Sequence, residues 1–494
     1  MPAYTIGIDL GTTATKTVLV DGSGAVVAGA ARAARVDSPA PGHAEMDPHQ
    51  WWSHVAETVA EVLAAAGSDG RDVAGIGVSG MVPTLVAVDA GLRVLHPSIQ
   101  QNDARAVAEI DELARAVPDA LARTGSAVTA QSIGPKWHWL ARHRPRVAAD
   151  CVTLLGSYGW VIARLTGERV ADENWALESG LAGYDSGWQA DICAAAGLDP
   201  ALLPPIRPSG AVVGSLRADV AAQLGLPAGV PVTAGYADHV VSAFAAGLLA
   251  PGDTLLKLGG AGDILAVSAA PVFDPRLYLD RHPLPGYWMP NGCMATSGAT
   301  LRWFQRELAG GRALGALDAD ADAVGPGAGG VLALPYFLGE KTPVMDPLAR
   351  GAFVGLHLGH TRAHLYRALV EAVAFGFAHH VEVFAERGIA VDEVRVTNGG
   401  SRSALWKQTL ADTLDRPLGS IAAHPGSSWG AALLTAGAVG LLDPAEAVRR
   451  LARVDEVFAP SPAAHRVLRA HYERYGALRE ALAPISHDLA AQAW

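Results

Sequence analysis

The apolar and polar positions along the chain alternate between short buried runs and longer stripes of helical period. Ile6 and Ile8 alternate with small or polar residues, and Val18 and Val20 resume an apolar strand that Asp21-Gly22 ends. This predicts a strand, a tight Gly/Thr turn and a second strand, with a third over 25–33. Asp47-Pro48 predicts a helix start, Asp47 as N-cap and Pro48 in the first helical position. Trp51, Val55, Val59, Val62 and Ala66 give that helix one apolar stripe, and Gly67 stops it. Buried strands follow at 72–79 and 84–88. Helices are expected from 101–105 to about 116, from 135, and over 158–165. Residues 230–247 read as a strand, a Gly turn and a helix, and 254–267 repeat the layout of the opening hairpin. A strand at 288–295, a helix at 299–309, a Gly-rich loop at 326–330 and a strand at 331–335 come next. Residues 339–343 read as an exposed polar loop. A long helix starts near Thr361 and carries Leu365, Leu369, Val373, Gly376 and Phe384 until Gly388 ends it. A strand at 393–397 runs into a Gly turn and a helix at 404–412. A small-residue helix at 428–438 and an amphipathic helical C-terminus complete the pattern. Strands alternating with helices predict an α/β chain with a mostly parallel layer.

The two hairpin turns carry candidate chemistry. Between the first pair of strands stand Gly11, the hydroxyls of Thr12 and Thr13, and the Lys16 ammonium. Such a turn offers backbone N–H groups and hydroxyl donors to an anion and has no bulky side chain to keep it away. Asp9 sits too close to a bound polyphosphate to be its direct partner, and Mg2+ would relieve that repulsion, since it takes one or two carboxylates together with phosphate oxygens. The second turn, Gly259-Gly260-Ala261, has the same small-residue character. One phosphate-cradling hairpin in each half suggests two related domains gripping one nucleotide. Asp103 and Asp238 both stand where helices begin. Each has a structural reading as an N-cap and a functional one, as a carboxylate aimed at the hydroxyls of a polar ligand, in which Arg105 would join Asp103.

Composition narrows the field. A chain of 494 residues exceeds one core and fits two domains. Half of it is apolar, so it is globular. The net charge of −11 argues against a nucleic-acid partner. Cys151, Cys193 and Cys293 are odd in number and without metal-ligand spacing, as expected of reduced thiols in the cytoplasm. No basic stretch followed by an apolar one opens the chain, and the longest low-polarity run, 240–251, is too short to span a bilayer. The expectation is a cytoplasmic protein with no membrane partner.

The order of the segments resembles the FGGY-type carbohydrate kinases of the actin, hexokinase and heat-shock ATPase superfamily. Gly7-Ile8-Asp9-Leu10-Gly11-Thr12-Thr13 with Lys16 matches the first phosphate motif. Gln101-Asn102-Asp103-Ala104-Arg105 matches the W-N-D-x-R sugar loop, and 235–238 the G-x-x-D catalytic element. Residues 335–343 look like L-P-Y-L-x-G-E-R-T-P. Residues 350–356 with His364, Leu365 and Glu371 follow the second-domain signature. Asn398-Gly399-Gly400-Ser401 with Ser403, Trp406 and Gln408 looks like the adenosine motif. The nearest branch in likeness is that of the xylulose kinases. The chain departs from it at Met81-Val82-Pro83 (for Met-His-Gly), Gln101 (for Trp), His239 (for Asn) and 259–262 (for G-T-S-G).

The resemblance implies two actin-like (ribonuclease H-like) domains with a central cleft. Residues 1–246 would bind sugar and phosphate; residues 247–494 would bind nucleotide and end in a helical cover. It implies ATP and Mg2+ as cofactors, a small-molecule sugar as substrate, and a homodimer. Asp238 would be the catalytic base, and Asp9 would position the metal. Gly11, Thr12, Thr13 and Lys16 would hold phosphates, with Gly259, Gly260 and Ala261 doing so from the second domain. Gly399, Gly400, Ser401 and Ser403 would line the adenosine site. Met81, Asp103, Arg105, Asp238 and His239 would read the sugar. D-xylulose is the first expectation for the acceptor; L-xylulose, ribulose, erythritol and glycerol stay open, as do an actin-like ATPase and a silent sugar-binding regulator.

Overall fold

A computed structural model of the chain describes residues 4–421 and 426–492. The outermost ends of the two expected domains, and the 422–425 connection, lie outside the described residues. The chain divides into two compact units. The first is Met1–Gly247 with Ala270–Trp288 and Pro425–Leu451; the second is Leu248–Ala269, Met289–His424 and Ala452–Trp494. The sequence expects two contiguous domains, 1–246 and 247–494, whereas the segments 270–288 and 425–451 group with the first unit.

In the first unit, β1 (Tyr4–Leu10), β2 (Ala14–Asp21), β3 (Val26–Ala33), β4 (Val73–Gly80), β5 (Val212–Ser215) and β6 (Pro231–Thr233) lie in the order β5-β6-β4-β1-β2-β3. Strands β1, β2 and β3 are antiparallel neighbours, while β1–β4 and β4–β6 are parallel. The mostly parallel layer expected from the sequence is therefore a mixed sheet, because the opening hairpin supplies its own antiparallel half. The helix Pro48–Ala66 packs on β2 and β3. Asp47 accepts the His49 N–H at 2.9 Å and Gly67 closes the helix in the left-handed region at φ 64°.

Strands β1 and β4 are also backed by the helix Ser427–Ala438. Its approach is close because glycines face it. A Cβ on Gly7 would collide with the Ser428 carbonyl and come within 2.8 Å of Ala432, and one on Gly77 would lie 2.7 Å from the Ala431 carbonyl. The Thr5 hydroxyl donates to the Ala432 carbonyl at 3.1 Å, and the Thr435 hydroxyl lies 3.1 Å from that of Thr233.

The second unit repeats the plan. Its strands β7 (Gly252–Leu258), β8 (Gly262–Ala266), β9 (Trp288–Met294), β10 (Val391–Thr397), β11 (Leu418–Ser420) and β12 (Glu456–Phe458) run in the order β9-β8-β7-β10-β11-β12. Again an antiparallel triple (β7, β8, β9) is followed by parallel neighbours (β7–β10, β10–β11). The helix Arg362–Glu386 is buried over most of its length here. By length and apolar composition it is the one described helix that could cross a membrane, which the sequence reading does not anticipate; its burial is that of a core helix. The loop 339–343, expected to be exposed, is buried instead. Glu340 is a carboxylate 5 % exposed that accepts the N–H groups of Ala295 (2.6 Å) and Lys341 (2.9 Å). Burial pushes it up to about 7.

Candidate active site

The opening turn is held by its own backbone: the Gly11 N–H donates to Ala14 O at 3.1 Å, and Asp9 pairs with Lys16 across the hairpin. Asp9 is 8 % exposed, and the Ser79 hydroxyl on β4 donates to its Oδ1 at 3.2 Å. Thr13 and Lys16 are exposed; Gly11 and Thr12 are half-buried. The Thr12 hydroxyl donates to the Met81 sulfur at 3.7 Å and accepts from Gln101 Nε2 at 3.5 Å. The turn and two of the segments expected to read the sugar thus meet at Thr12. Met81 itself is buried, 1 % exposed.

Asp103 does not cap the helix after it. That helix is Val107–Ala116, its N-cap position is Ala106, and no side chain caps it. The Asp103 carboxylate turns inward and accepts from the Ala44 N–H (2.6 Å) and from Arg105 Nε (2.9 Å) and Nη2 (2.8 Å). Arg105 also donates to Glu45 at 2.7 Å and lies over the Trp139 ring at 4.8 Å. With the two side chains 0 % and 1 % exposed, the pair holds the loop in shape, and a buried ion pair of this kind is costly to break from one side.

Asp238 opens the helix Asp238–Ala245, immediately after the short strand Tyr236–Ala237, which pairs with β4 at Ser79 and Gly80. Gly235 makes the turn before it at φ 93°, a conformation that favours glycine. The N-cap position is Ala237; Asp238 is the first helical residue and accepts the His239 N–H at 2.6 Å. Its side chain is 32 % exposed, so the carboxylate is accessible to a ligand. The Ser427 hydroxyl donates to the Asp238 carbonyl at 3.0 Å and ties the start of the helix down. His239 stands among acids: Nε2 is 2.8 Å from Asp280 and 3.8 Å from Glu178, and Nδ1 is 3.5 Å from Asp238. Burial alone would lower this imidazole, but the surrounding carboxylates, Asp280 foremost, hold it well above its ordinary range. Glu178 is pushed up by burial and by the Asp280 charge. Behind it, burial raises Asp172 to about 6 against the bonds it accepts from Tyr158, Trp175 and Ser209.

In the second unit a cavity of about 480 Å³ lies beside the β7–β8 turn. Gly259, Gly260, Gly399, Gly400 and Ser403 all line it, as the sequence expects of a nucleotide site. Ala261 and Ser401 do not: the Ser401 hydroxyl donates to the Asn398 carbonyl at 2.6 Å and closes the turn Gly399–Arg402. The Gly259 and Gly260 carbonyls accept the N–H groups of Gly298 (2.9 Å) and Ser297 (2.7 Å), which fixes the helix Gly298–Glu307 to the turn. That helix brings Arg302 into the wall, which Arg402 and Asp318 also line. The sequence reading misses Arg302 and Asp318 because they come from helices that carry no motif. Gly400 faces the Trp406 ring so closely that a Cβ would lie 2.5 Å from the ring and 2.6 Å from Leu258 Cβ. Gly400→Val is therefore expected to push Trp406 into the cavity and raise the nucleotide Kd at least about tenfold, or ~1.4 kcal/mol, with the sugar KM within twofold. Calorimetric titration with ADP checks this.

Two mixed sheets, each an antiparallel triple continued by parallel neighbours and headed by a small-residue hairpin, define a sugar-kinase-like member of the actin-like ATPase fold. The chain belongs to the FGGY family of carbohydrate kinases: residues 4–245 match its N-terminal domain and residues 263–439 its C-terminal domain. It is similar to the solved xylulose kinase of Rhodospirillum rubrum, at 44 % identity and a TM-score of 0.92, covering 98 % of this chain and 100 % of that one. It is 31 % identical to the xylulose kinase of Bacillus subtilis (strain 168) over 88 % of each chain. It is 32 % identical to that of Escherichia coli (strain K12), over 82 % of this chain and 84 % of that one.

Proposed function

We propose that this sugar kinase transfers the γ-phosphoryl group of ATP to a hydroxyl of D-xylulose. The observation that carries the substrate is the likeness to xylulose kinases along nearly the whole chain. Phosphoryl transfer asks a protein mainly for positioning and charge stabilisation. In this reading the Asp238 carboxylate orients the attacking hydroxyl and finally takes its proton. A helix N-terminus weakens a carboxylate as a base, which a late proton transfer tolerates. Asp103 and Arg105 fix the sugar loop rather than bind the sugar themselves, since each is spent on the other, Asp103 also accepting from Ala44 and Arg105 also donating to Glu45. Gly11, Thr12, Thr13 and Lys16 hold phosphate oxygens. The donor set at Asp9, a carboxylate beside the Ser79 hydroxyl, consists of hard oxygens and fits Mg2+; when bound, that ion would neutralise charge on the transferring phosphate. The cavity at Gly259, Gly260 and Gly400 takes the nucleotide. A cytoplasmic setting and a homodimer accompany the reading; light scattering of the purified chain tests the latter.

A coupled ADP-release assay over a panel of D-xylulose, L-xylulose, ribulose, erythritol and glycerol tests the proposal. D-xylulose is expected to lead in kcat/KM by at least about tenfold, well within the discrimination that a site built to hydrogen-bond a substrate's hydroxyls can reach. A different leading sugar would overturn the substrate, and sugar-independent turnover would overturn the kinase reading in favour of an ATPase.

A further inference from the structure

The element that brings Asp280 to His239 is the returning segment of the first unit. Its strand Tyr278–Arg281 is clamped to the helix Glu173–Glu178 by a reciprocal pair. The Arg281 N–H donates to Asn174 Oδ1 at 2.7 Å, and Asn174 Nδ2 donates to the Arg281 carbonyl at 3.0 Å. Arg281 adds a contact to Glu173 at 3.4 Å and lies over the Trp288 ring at 4.3 Å. The clamp sets Asp280 beside His239 with its side chain 1 % exposed. Asp280 Oδ2, the two imidazole nitrogens and Asp238 Oδ1 then follow one another at 2.8 Å and 3.5 Å. Both ring nitrogens face carboxylates, so the imidazole is engaged before any sugar arrives.

We propose that Asp280 and His239 are positioning residues for the base: Asp280 holds the imidazolium by its Nε2–H, and the imidazolium fixes Asp238 through Oδ1, which also accepts the His239 backbone N–H. This rests on Asp238 being the base of the kinase reading, and it reassigns His239 from reading the sugar to orienting that base. The groups facing His239 are Asp238 from its own helix, Asp280 from the returning strand, and Glu178 from the helix Glu173–Glu178, with Asp172 and its partner Tyr158 acting on Glu178 in turn. The sign of the pH dependence follows. The acids keep the imidazole protonated above its ordinary range, so the arm is complete at neutral pH and fails as pH rises through that raised value. An opposite charge within hydrogen-bond range supports a shift of about 1–3 pH units, so removing the Asp280 charge moves the failure downwards.

The test is a pair of variants, Asp280→Asn and His239→Asn, read in two ways. In kinetics, wild type is expected to show an alkaline fall in kcat. In Asp280→Asn that fall shifts down by at least about one pH unit, and in His239→Asn it disappears, with the sugar KM within about threefold in both. A tenfold or larger rise in KM with an unchanged pH profile would overturn the proposal and return His239 to direct sugar contact. The second reading needs no substrate: NMR titration of 13C-labelled histidines in the ligand-free chain, with His239 assigned by its loss in His239→Asn. Its titration is expected well above 6.5 in wild type and lower in Asp280→Asn. A value at or below 6.5 in folded wild type would overturn the arm. If instead no sugar is turned over while the titration behaves as stated, it is the kinase reading that has failed.

Discussion

Asp238→Asn is expected to lower kcat for sugar phosphorylation by about 10²–10⁴, the range over which a positioned general base contributes, while ADP binding stays within twofold of wild type. The amide keeps the size and the helix-start position of the carboxylate and can still accept the His239 N–H. What it loses is the capacity to take a proton and to hold a hydroxyl through a full negative charge. Because the cavity proposed for the nucleotide is built from the second unit alone, ADP titration gives a control that the same substitution does not touch. Near-normal turnover of the purified variant would remove Asp238 from the base position. A parallel loss of ADP binding and of the melting transition would instead mean that the variant is misfolded, which circular dichroism distinguishes.

Gly7→Val is expected to be the most damaging substitution for stability. The residue lies in the middle of β1, the strand that β2 and β4 both pair with, and it faces the backbone of the helix Ser427–Ala438. Any Cβ there strikes the Ser428 carbonyl and crowds Ala432, which are backbone or backbone-attached atoms and cannot swing away. Overpacking a well-packed interior costs about 1–3 kcal/mol and occasionally more, and two branches on the Cβ put this case at the upper end. For a unit of this size about 3 kcal/mol corresponds to a fall in Tm of roughly 6–12 °C. Differential scanning fluorimetry of the purified variant, or loss of soluble protein, checks it. A Tm within 2 °C of wild type would mean that the helix stands further off than described.

Other positions show how far the sequence could be read. The hairpin at Asp9–Lys16 was legible because period-two alternation and a small-residue turn are local signals, and so was the helix between Asp47 and Gly67. Asp103 was not: its position before a helix suggested a cap, but its partners are Ala44 and Arg105, one of them far away in sequence. The loop 339–343 looked polar and therefore exposed. Glu340 is buried because backbone N–H groups from two segments satisfy it, a pairing that no local pattern encodes. His239 could be singled out only as a departure from a motif. What it does depends on Asp280, 41 residues on, brought back by a segment whose membership of the first unit the linear order conceals.

That return of the chain has a consequence for synthesis. Strand β1 leaves the ribosome long before the helix that backs it, Ser427–Ala438, is made: Thr5 and its partner Ala432 are 427 residues apart. The strand must wait, with one face of its sheet uncovered, until that helix has emerged. A fragment stopped at Gly247 would keep that face bare, and would be a client for holdase chaperones rather than an independent domain.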